Sequence, residues 1–273
     1  MCSAYKAVAI LALAFAGTSA LASMPPLRVC ADAGNLPFSN TQQQGFENAL
    51  AHMVAHDLHR DMQFLWLPQQ AEQVEKAMRV LNCDLVMGTS APSREMVLSA
   101  PYYRSSFVFV SRRDRNIDIS SLADARLANY RIGAHVIGGA DATVPPAQEL
   151  ARRGLVRNIV GYSIYGHPTQ ANPSSELISA VAHGDVDLAV AWGPMAGYFA
   201  KTSAVPLRIT PICNPDPAMP VAFSISMGIR RGDDLMREQV NRILARREKQ
   251  IRGLLASYGV PLLDLSDTGA ACR

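Results

Sequence analysis

Hydrophobic and polar residues follow two different periods along this chain, and the period changes from segment to segment. Short apolar runs bounded by turn residues predict buried strands, among them Leu27 to Ala31 and Val186 to Ala191. Apolar residues at helical spacing predict an amphipathic helix from Phe46 to Leu58. A second helical pattern covers Asp233 to Tyr258 and predicts one long helix, or two with a break near Gly253.

The middle of the chain alternates strand and helix patterns between about residues 116 and 210. The predicted strands there are Tyr130 to Val136, Ile159 to Tyr165 and Val186 to Ala191, and the predicted helices are Pro146 to Arg153 and Ser175 to Ala182. Strands that alternate with helices favour a parallel sheet with crossover helices.

Two composition shifts divide the chain into predicted lobes. A charged run at residues 112–115 marks the first boundary, and the proline-rich segment Thr210 to Pro220 marks the second. The material after residue 220 is too short to fold alone, so we expect it to return to the first lobe. The prediction is an α/β fold with lobe 1 at 23–113 and 221–273 and lobe 2 at 114–220. Two hinge crossings then join the lobes around a cleft.

The first 22 residues have the pattern of a secretory signal. Lys6 precedes an apolar stretch from Ala7 to Gly17, and small residues follow at Ala20 and Ala22. The apolar stretch is shorter than the ~20 residues that span a bilayer, which disfavours a membrane anchor. We therefore expect cleavage after Ala22, export to the periplasm, and no membrane insertion afterwards.

Composition excludes some classes of function. Hydrophobic residues make up 49% of the chain, enough for a large core, and the formal net charge is only +3. That charge, without a basic stripe interleaved with aromatic residues, gives no support for nucleic-acid binding.

Export changes how the cysteines are interpreted. Cys30 and Cys83 each lie in a predicted strand, and the two strands can be neighbours in a parallel sheet, so we favour a Cys30–Cys83 disulfide. Cys213 and Cys272 can pair, or Cys272 can be a free thiol in the tail; the sequence leaves both open.

The predicted cleft takes its residues from the ends of strands. Strand Val186 to Ala191 is followed by Trp192-Gly193-Pro194 and a helix start, which is a βα corner where open α/β sheets place ligands. Arg94 is ambiguous, because it can hold an anion or form a surface ion pair. The candidate contact residues are Asn35, Phe38, Arg94, Tyr102, Tyr103, Arg104, Trp192 and Tyr198.

Catalytic and metal-binding patterns are weak. Asp185 and Asp187 can face one way on a strand, but the sequence places no acid–base partner beside them. The histidines at 52, 56 and 59 have a spacing that permits a metal site, whereas a solvated helix face explains them as well. We predict no catalytic residue, no metal and no cofactor.

Several motifs resemble one family of binding proteins. The signal sequence, the PYY motif before the first crossing and the strand–helix return resemble type II periplasmic solute-binding proteins of ABC transporters. The segments VCAD, NLPFSN, GFEN, PYYRS, GDVDLAVAWGPMAGYFA, SMGIRRGD and YGVPLL resemble more narrowly the quinoprotein-dehydrogenase-associated binding proteins, the J proteins encoded beside methanol dehydrogenase in methylotrophs.

The resemblance implies a periplasmic, non-enzymatic helper that assists maturation or activation of a PQQ-dependent alcohol dehydrogenase, with its large subunit as the expected partner. One segment departs from the family pattern, since Trp66-Leu67-Pro68-Gln69-Gln70-Ala71 lacks the arginines expected after the second strand. Docking through that segment is therefore doubtful.

The predicted cleft does not suit an amino acid. Amino-acid-binding relatives hold the ligand with an arginine in the first lobe and an aspartate at the second-lobe corner, where this chain has Trp192-Gly193-Pro194. A buried ammonium without a counter-charge is costly. An aromatic, lightly charged cleft instead suits a peptide segment or an apolar ligand, with a small solute for a permease as the alternative.

Overall fold

The computed structural model describes residues 24–67, 78–136, 144–164, 172–213 and 219–266. The strands are β1 (Leu27–Ala31), β2 (Gly34–Asn35), β3 (Ser39–Asn40), β4 (Met62–Trp66), β5 (Leu85–Thr89), β6 (Met96–Leu98), β7 (Tyr103–Arg112), β8 (Ile132–Val136), β9 (Ile159–Ser163), β10 (Leu188–Trp192), β11 (Leu207–Pro211) and β12 (Ala222–Arg230). The α-helices are α1 (Phe46–Asp57), α2 (Pro145–Arg152), α3 (Glu176–His183), α4 (Gly193–Thr202) and α5 (Asp234–Ser257).

Strands from both ends of the chain build the first half of the molecule. β1 pairs in parallel with β4 on one side and β5 on the other, and β12 then pairs antiparallel to β5. The predicted disulfide is present between Cys30 and Cys83, whose Cα atoms are 5.8 Å apart. It joins β1 to the residue that precedes β5 by two positions, because neighbouring parallel strands bring those Cα atoms into bridging range.

Helix α1 begins where the chain turns tightly over the end of the β2–β3 hairpin. Gly45 is its N-cap, and a Cβ there would collide with the Phe38 carbonyl group. The Asn48 side chain accepts hydrogen bonds from the amides of Gly45 and Asn40, at 3.0 and 3.2 Å. The predicted helix is therefore confirmed, with its apolar side in the core.

Two long strands connect the halves of the molecule. The first residues of β7 pair with β12, as in Tyr103 with Ile225, whereas its later residues pair with β10 and β11. β12 in turn pairs with β5 and β6 through its last residues. The sheet order is β4-β1-β5-β12-β7-β10-β8-β9, with β6 beside β12 and β11 beside β7.

The second half contains the predicted parallel strands. β10 pairs in parallel with β8, and β8 with β9, as the alternating pattern predicts. α3 ends at Gly184, which has the left-handed φ of 85° that favours glycine. β7 and β11 add antiparallel pairing that the sequence pattern does not reveal.

Hydrophobic side chains form separate clusters in the two halves. The first core uses residues between 27 and 103 together with residues between 225 and 260. Two further clusters use residues between 107 and 221. Trp192 and Phe223 pack against both the first core and one of the later clusters. This division supports the proposed lobes, whose boundaries at 113 and 220 stay predictions.

Some predictions differ from the structure or fall outside it. Helix α5 is continuous over 24 residues and Gly253 does not break it. Strand β11 lies where no strand is predicted, because its isolated pattern is short and its partner β7 is distant in sequence. The signal segment 1–22 lies outside the described residues.

Candidate functional site

The predicted βα corner is present at the end of β10. Trp192 ends the strand, and Gly193 and Pro194 begin α4, where a missing proline amide costs no hydrogen bond. A Cβ at Gly193 would lie 2.6 Å from the Ser106 carbonyl oxygen, so the corner fits closely against β7. This close packing holds the backbone of the corner against β7.

Trp192 lines an open pocket of about 260 Å³ at the junction of the two halves. The pocket is lined by Ser90, Phe107, Pro145, Trp192, Phe223 and Ile225. The Trp192 ring centroid lies 5.3 Å from that of Phe107 and 6.0 Å from that of Phe223, in edge-to-face geometry. None of these six side chains carries a charge, so the pocket favours apolar groups.

Tyr102 and Tyr103 lie behind this pocket rather than on its surface. Both side chains are buried in the first core. The Tyr103 hydroxyl accepts a hydrogen bond from the Trp192 indole. Burial raises the pKa of both tyrosines well above the ordinary value. The predicted cleft surface therefore loses these two residues, because both side chains pack inside the first core.

The loop that carries Asn35 and Phe38 lies against both halves. Phe38 is partly buried, and its ring lies 5.4 Å from that of Phe46. Asn35 pairs with Ser39 in the small hairpin, and its carbonyl accepts the Phe38 amide at 2.8 Å. The Leu36 carbonyl accepts a hydrogen bond of 3.3 Å from Ser174 in the second half. The loop thus forms one contact between the halves.

Tyr198 forms a different contact between the halves. Its ring stacks on Tyr258, with centroids 5.9 Å apart, and the Tyr258 hydroxyl donates to the Gln44 carbonyl at 2.7 Å. Tyr198 does not line the Trp192 pocket. Trp192 and Tyr198 therefore contact different parts of the molecule, because Trp192 is the N-cap of α4 and Tyr198 lies within the helix.

The two candidate arginines also lie away from the pocket lining. Arg94 is exposed, and its carbonyl accepts a hydrogen bond of 2.7 Å from Arg231. Arg104 is partly buried in β7, pairs with Ser224, and accepts the Leu263 amide on its carbonyl. A ligand or partner contact by either arginine stays a prediction.

Sequence reasoning missed two buried ionisable residues near the junction. Burial raises the pKa of Glu47 to about 8, and the nearby Asp32 adds to the rise. In the second half, burial lowers the pKa of His135 to about 4, against a backbone hydrogen bond with Ser174 that raises it. His135 lies within a predicted strand, where a polar residue is a signal that could identify it, whereas Glu47 lies outside the predicted apolar face of α1 and only packing reveals its burial.

The surface histidines of α1 have ordinary partners. His52 Nε2 lies 2.6 Å from Gln43 Oε1, and His56 Nδ1 lies 3.1 Å from Asp57 Oδ1. Within the described ranges, no group of three or more histidine, cysteine, aspartate or glutamate residues has metal-binding geometry. Cys213 is disulfide-bonded, and Cys272 lies outside the described residues.

Comparison with known proteins defines the class. The family model of bacterial extracellular solute-binding proteins, family 3, matches residues 27–258. Protein MoxJ of Methylorubrum extorquens is 31% identical over 252 residues, which cover 88% of this chain and 83% of MoxJ. The chain therefore belongs to family 3 of the bacterial extracellular solute-binding proteins.

Solved structures place it more narrowly. Periplasmic binding protein XoxJ from Methylobacterium extorquens AM1 has a TM-score of 0.70 and 35% identity, covering 87% of this chain and 99% of XoxJ. MxaJ from Methylophaga aminisulfidivorans has a TM-score of 0.75 and 27% identity, covering 87% of this chain and all 100% of MxaJ. The expected type II periplasmic-binding fold and the resemblance to J proteins are confirmed.

Membership of an extracellular family agrees with the expected export. In the part of the chain that the structure describes, no helix has both the length and the apolar character that crossing a bilayer demands.

Proposed function

We propose that this protein is exported to the periplasm by its N-terminal signal and assists maturation or activation of a PQQ-dependent methanol or alcohol dehydrogenase. It binds a segment of that enzyme, in the large subunit, at the pocket around Trp192. The protein itself contributes binding and no catalytic step. The proposal rests on the J-type resemblance and, above all, on the chemistry of the pocket.

The uncharged pocket lining carries the proposal. A solute receptor for a zwitterion needs opposite charges on its walls, whereas Phe107, Trp192 and Phe223 offer aromatic edges and faces. Aromatic anchors in partly dry pockets dominate protein recognition sites. The volume of about 260 Å³ fits one or two side chains of a polypeptide better than a large metabolite.

Co-purification of a tagged protein from native periplasm tests the proposal. We expect the wild-type chain to retain the large dehydrogenase subunit. The Trp192→Ala variant should capture at least about tenfold less of that subunit, as for the loss of a central aromatic anchor. Trp66→Ala is the matched control, because Trp66 lies on the distant strand β4 and stacks on Phe64. If the Trp192→Ala variant captures as much of the dehydrogenase subunit as the Trp66→Ala variant and the wild type do, Trp192 is not part of the contact.

Delivery of a small molecule to a permease is the second candidate, and family membership favours it. A receptor of this kind binds its solute in the native state alone, so the solute raises the melting temperature by mass action. A reproducible rise with one metabolite, abolished by Trp192→Ala, would support this alternative. If no compound in a broad panel of metabolites raises the melting temperature, the dehydrogenase hypothesis stands.

A further inference from the structure

A second pocket lies in the second half of the molecule, between helices α3 and α4. Its volume is about 440 Å³, which is in the range of small-molecule sites. Its lining residues lie between positions 175 and 183, along α3, and between positions 199 and 205, at the end of α4 and in the turn that follows. The two pockets have no lining residue in common, so this pocket is a separate site from the one at Trp192.

The apolar and polar residues of this pocket lie at different depths. Ile178 is 2% exposed, and Phe199 and Val205 are partly buried. His183 and Thr202, by contrast, are exposed. None of the lining side chains is acidic, and histidine is the only titratable type among them. The pocket therefore has an apolar floor and a polar rim without a carboxylate.

Three hydroxyl groups of the rim donate their protons within the protein. Ser175 Oγ and Ser203 Oγ donate to backbone carbonyl oxygens at 2.7 and 2.9 Å. Thr202 Oγ1 donates to the carbonyl oxygen at the preceding turn of α4, at 3.2 Å. A hydroxyl group that donates in this way still has lone pairs, so each of these groups can accept a hydrogen bond from a ligand.

His183 adds an acceptor of a different kind. Its Nδ1 lies 2.9 Å from the Ser179 carbonyl oxygen, which can only accept, so in the neutral ring Nδ1 carries the proton. Nε2 is then the unprotonated nitrogen and accepts. Ser179 Oγ lies 3.2 Å from the same Nδ1 and retains a proton that it can donate. Acceptors therefore outnumber donors among the side chains of the rim.

The end of α4 also favours a ligand that donates. The last carbonyl groups of a helix carry the negative end of its dipole, which a nearby cation stabilises. At the end of α3, Arg112 already fills this role, because it donates to the Ala182 carbonyl at 2.9 Å. At the end of α4, Thr202 lines the pocket, whereas Lys201 donates to a carbonyl of the other half. A cationic donor in the pocket can therefore meet the end of α4.

We propose that this pocket binds a small aliphatic primary amine in its protonated form. The three N–H donors of the ammonium group meet the acceptors of the rim. The alkyl chain lies on the floor formed by Ile178, Phe199 and Val205, where the Phe199 ring also favours a nearby cation. Because the rim is exposed, the ammonium group keeps part of its hydration and needs no buried carboxylate.

Three probes with the same butyl chain separate the effect of charge from that of hydrogen-bond donation. n-Butylammonium has a charge and three donors, 1-butanol has one donor and no charge, and butyltrimethylammonium has a charge and no N–H donor. Each is titrated into the full-length protein at pH 8 and constant ionic strength, and the amide chemical shifts of Ala182 and Ala204 locate the binding. We expect n-butylammonium to bind more tightly than either other probe by about tenfold or more.

Two threonine variants test the rim. Thr202→Val removes one acceptor at nearly constant shape, and Thr210→Val is the matched control, because Thr210 lies on β11 outside the lining. We expect Thr202→Val to weaken the binding of n-butylammonium by about three- to tenfold and to leave that of butyltrimethylammonium within about twofold. Thr210→Val should change neither affinity. The melting temperature of each variant reports whether it folds.

The wild type alone can overturn the proposal. Equal affinity for the three probes would do so, as would binding of n-butylammonium that leaves the chemical shifts of Ala182 and Ala204 unchanged. Trp192→Ala should leave the affinity for n-butylammonium unchanged, and a loss in that variant would place the amine in the other pocket. These measurements involve no dehydrogenase, so their result and that of the co-purification are independent.

Discussion

At the scale of single residues, two carboxylates on α1 show how the environment decides ionisation. Glu47 lies in the first turn, where burial raises its pKa to about 8. Asp57 ends the same helix, yet hydrogen bonds from Arg247 and Arg246 hold its pKa far below the usual range. The sequence presents both as acidic residues of one helix, and only their tertiary partners separate a buried acid from a structural ion pair.

Replacement of Asp57 tests that difference. Asp57 Oδ1 and Oδ2 lie 2.6 and 2.7 Å from the guanidinium groups of Arg247 and Arg246, and the carboxylate is 4% exposed, so these contacts tie α1 to α5. We expect Asp57→Asn to lower the free energy of unfolding by about 1–2 kcal/mol at pH 7. Urea unfolding by circular dichroism measures it.

The pH dependence of that difference has a fixed sign. The folded-state pKa of Asp57 is depressed, so its contribution is complete above the unfolded value of about 4 and declines as the pH falls below it. The wild type should therefore lose its advantage over Asp57→Asn between about pH 4 and pH 2. A constant difference across this range would mean that the asparagine acts through packing alone.

At the scale of elements, one close approach fixes α4 against the turn after α5. A Cβ at Gly197 would collide with the Gly259 carbonyl oxygen, and Gly259 itself has a φ of 75°. Tyr198 stacks on Tyr258 beside this contact. The helix that follows Trp192 is thereby held to the first half, and the corner cannot move independently of it.

Two glycine-to-alanine substitutions in helices should have opposite effects. Gly197→Ala forces the backbone of α4 away from the turn, and we expect a loss of about 1–3 kcal/mol in the free energy of unfolding. Gly253→Ala lies in the interior of α5 with no atom near its Cβ, and we expect a gain of about 0.5–1 kcal/mol from helix propensity. Thermal denaturation compares the two directly.

A neutral Gly197→Ala would show that α4 can shift without cost. In that case the turn at Gly259 would not hold the corner, and the rigid position of Trp192 would need another explanation.

At the scale of the whole molecule, the two halves share strands and aromatic residues. β7 and β12 each contribute to both halves, and Trp192 and Phe223 pack against a core on either side. The pocket therefore lies in a junction that both cores stabilise, where small relative movements of the halves change its shape. We therefore expect binding at the pocket to be coupled to the arrangement of the halves.

The shared strands predict cooperative unfolding. Trp66 reports on β4 in the first half, and Trp192 reports on the junction, so Trp192→Phe and Trp66→Phe each leave one fluorescent reporter. We expect the two variants to show urea transitions that coincide with the circular dichroism transition of the same variant, as in a two-state process. Separated transitions would show that the halves unfold independently.

The sequence by itself determined the local elements and the class of the molecule. The helical period gives α1, the short apolar run and its Gly-Pro stop give the β10–α4 corner, and the strand–helix alternation gives the parallel strands β8, β9 and β10. Each of these elements depends on residues that are close together in the sequence. The hydrophobic pattern and the turn residues are therefore enough to predict it. The Cys30–Cys83 bond follows from the same strand prediction.

Only the tertiary structure decided which side chains meet. Tyr103 is buried behind Trp192, Tyr198 faces Tyr258 instead of the pocket, and β11 finds its partner in β7. Glu47 became visible as a buried carboxylate only after α1 was packed on β5. These contacts join residues far apart in sequence, and their burial and charge depend on groups that no local pattern brings together.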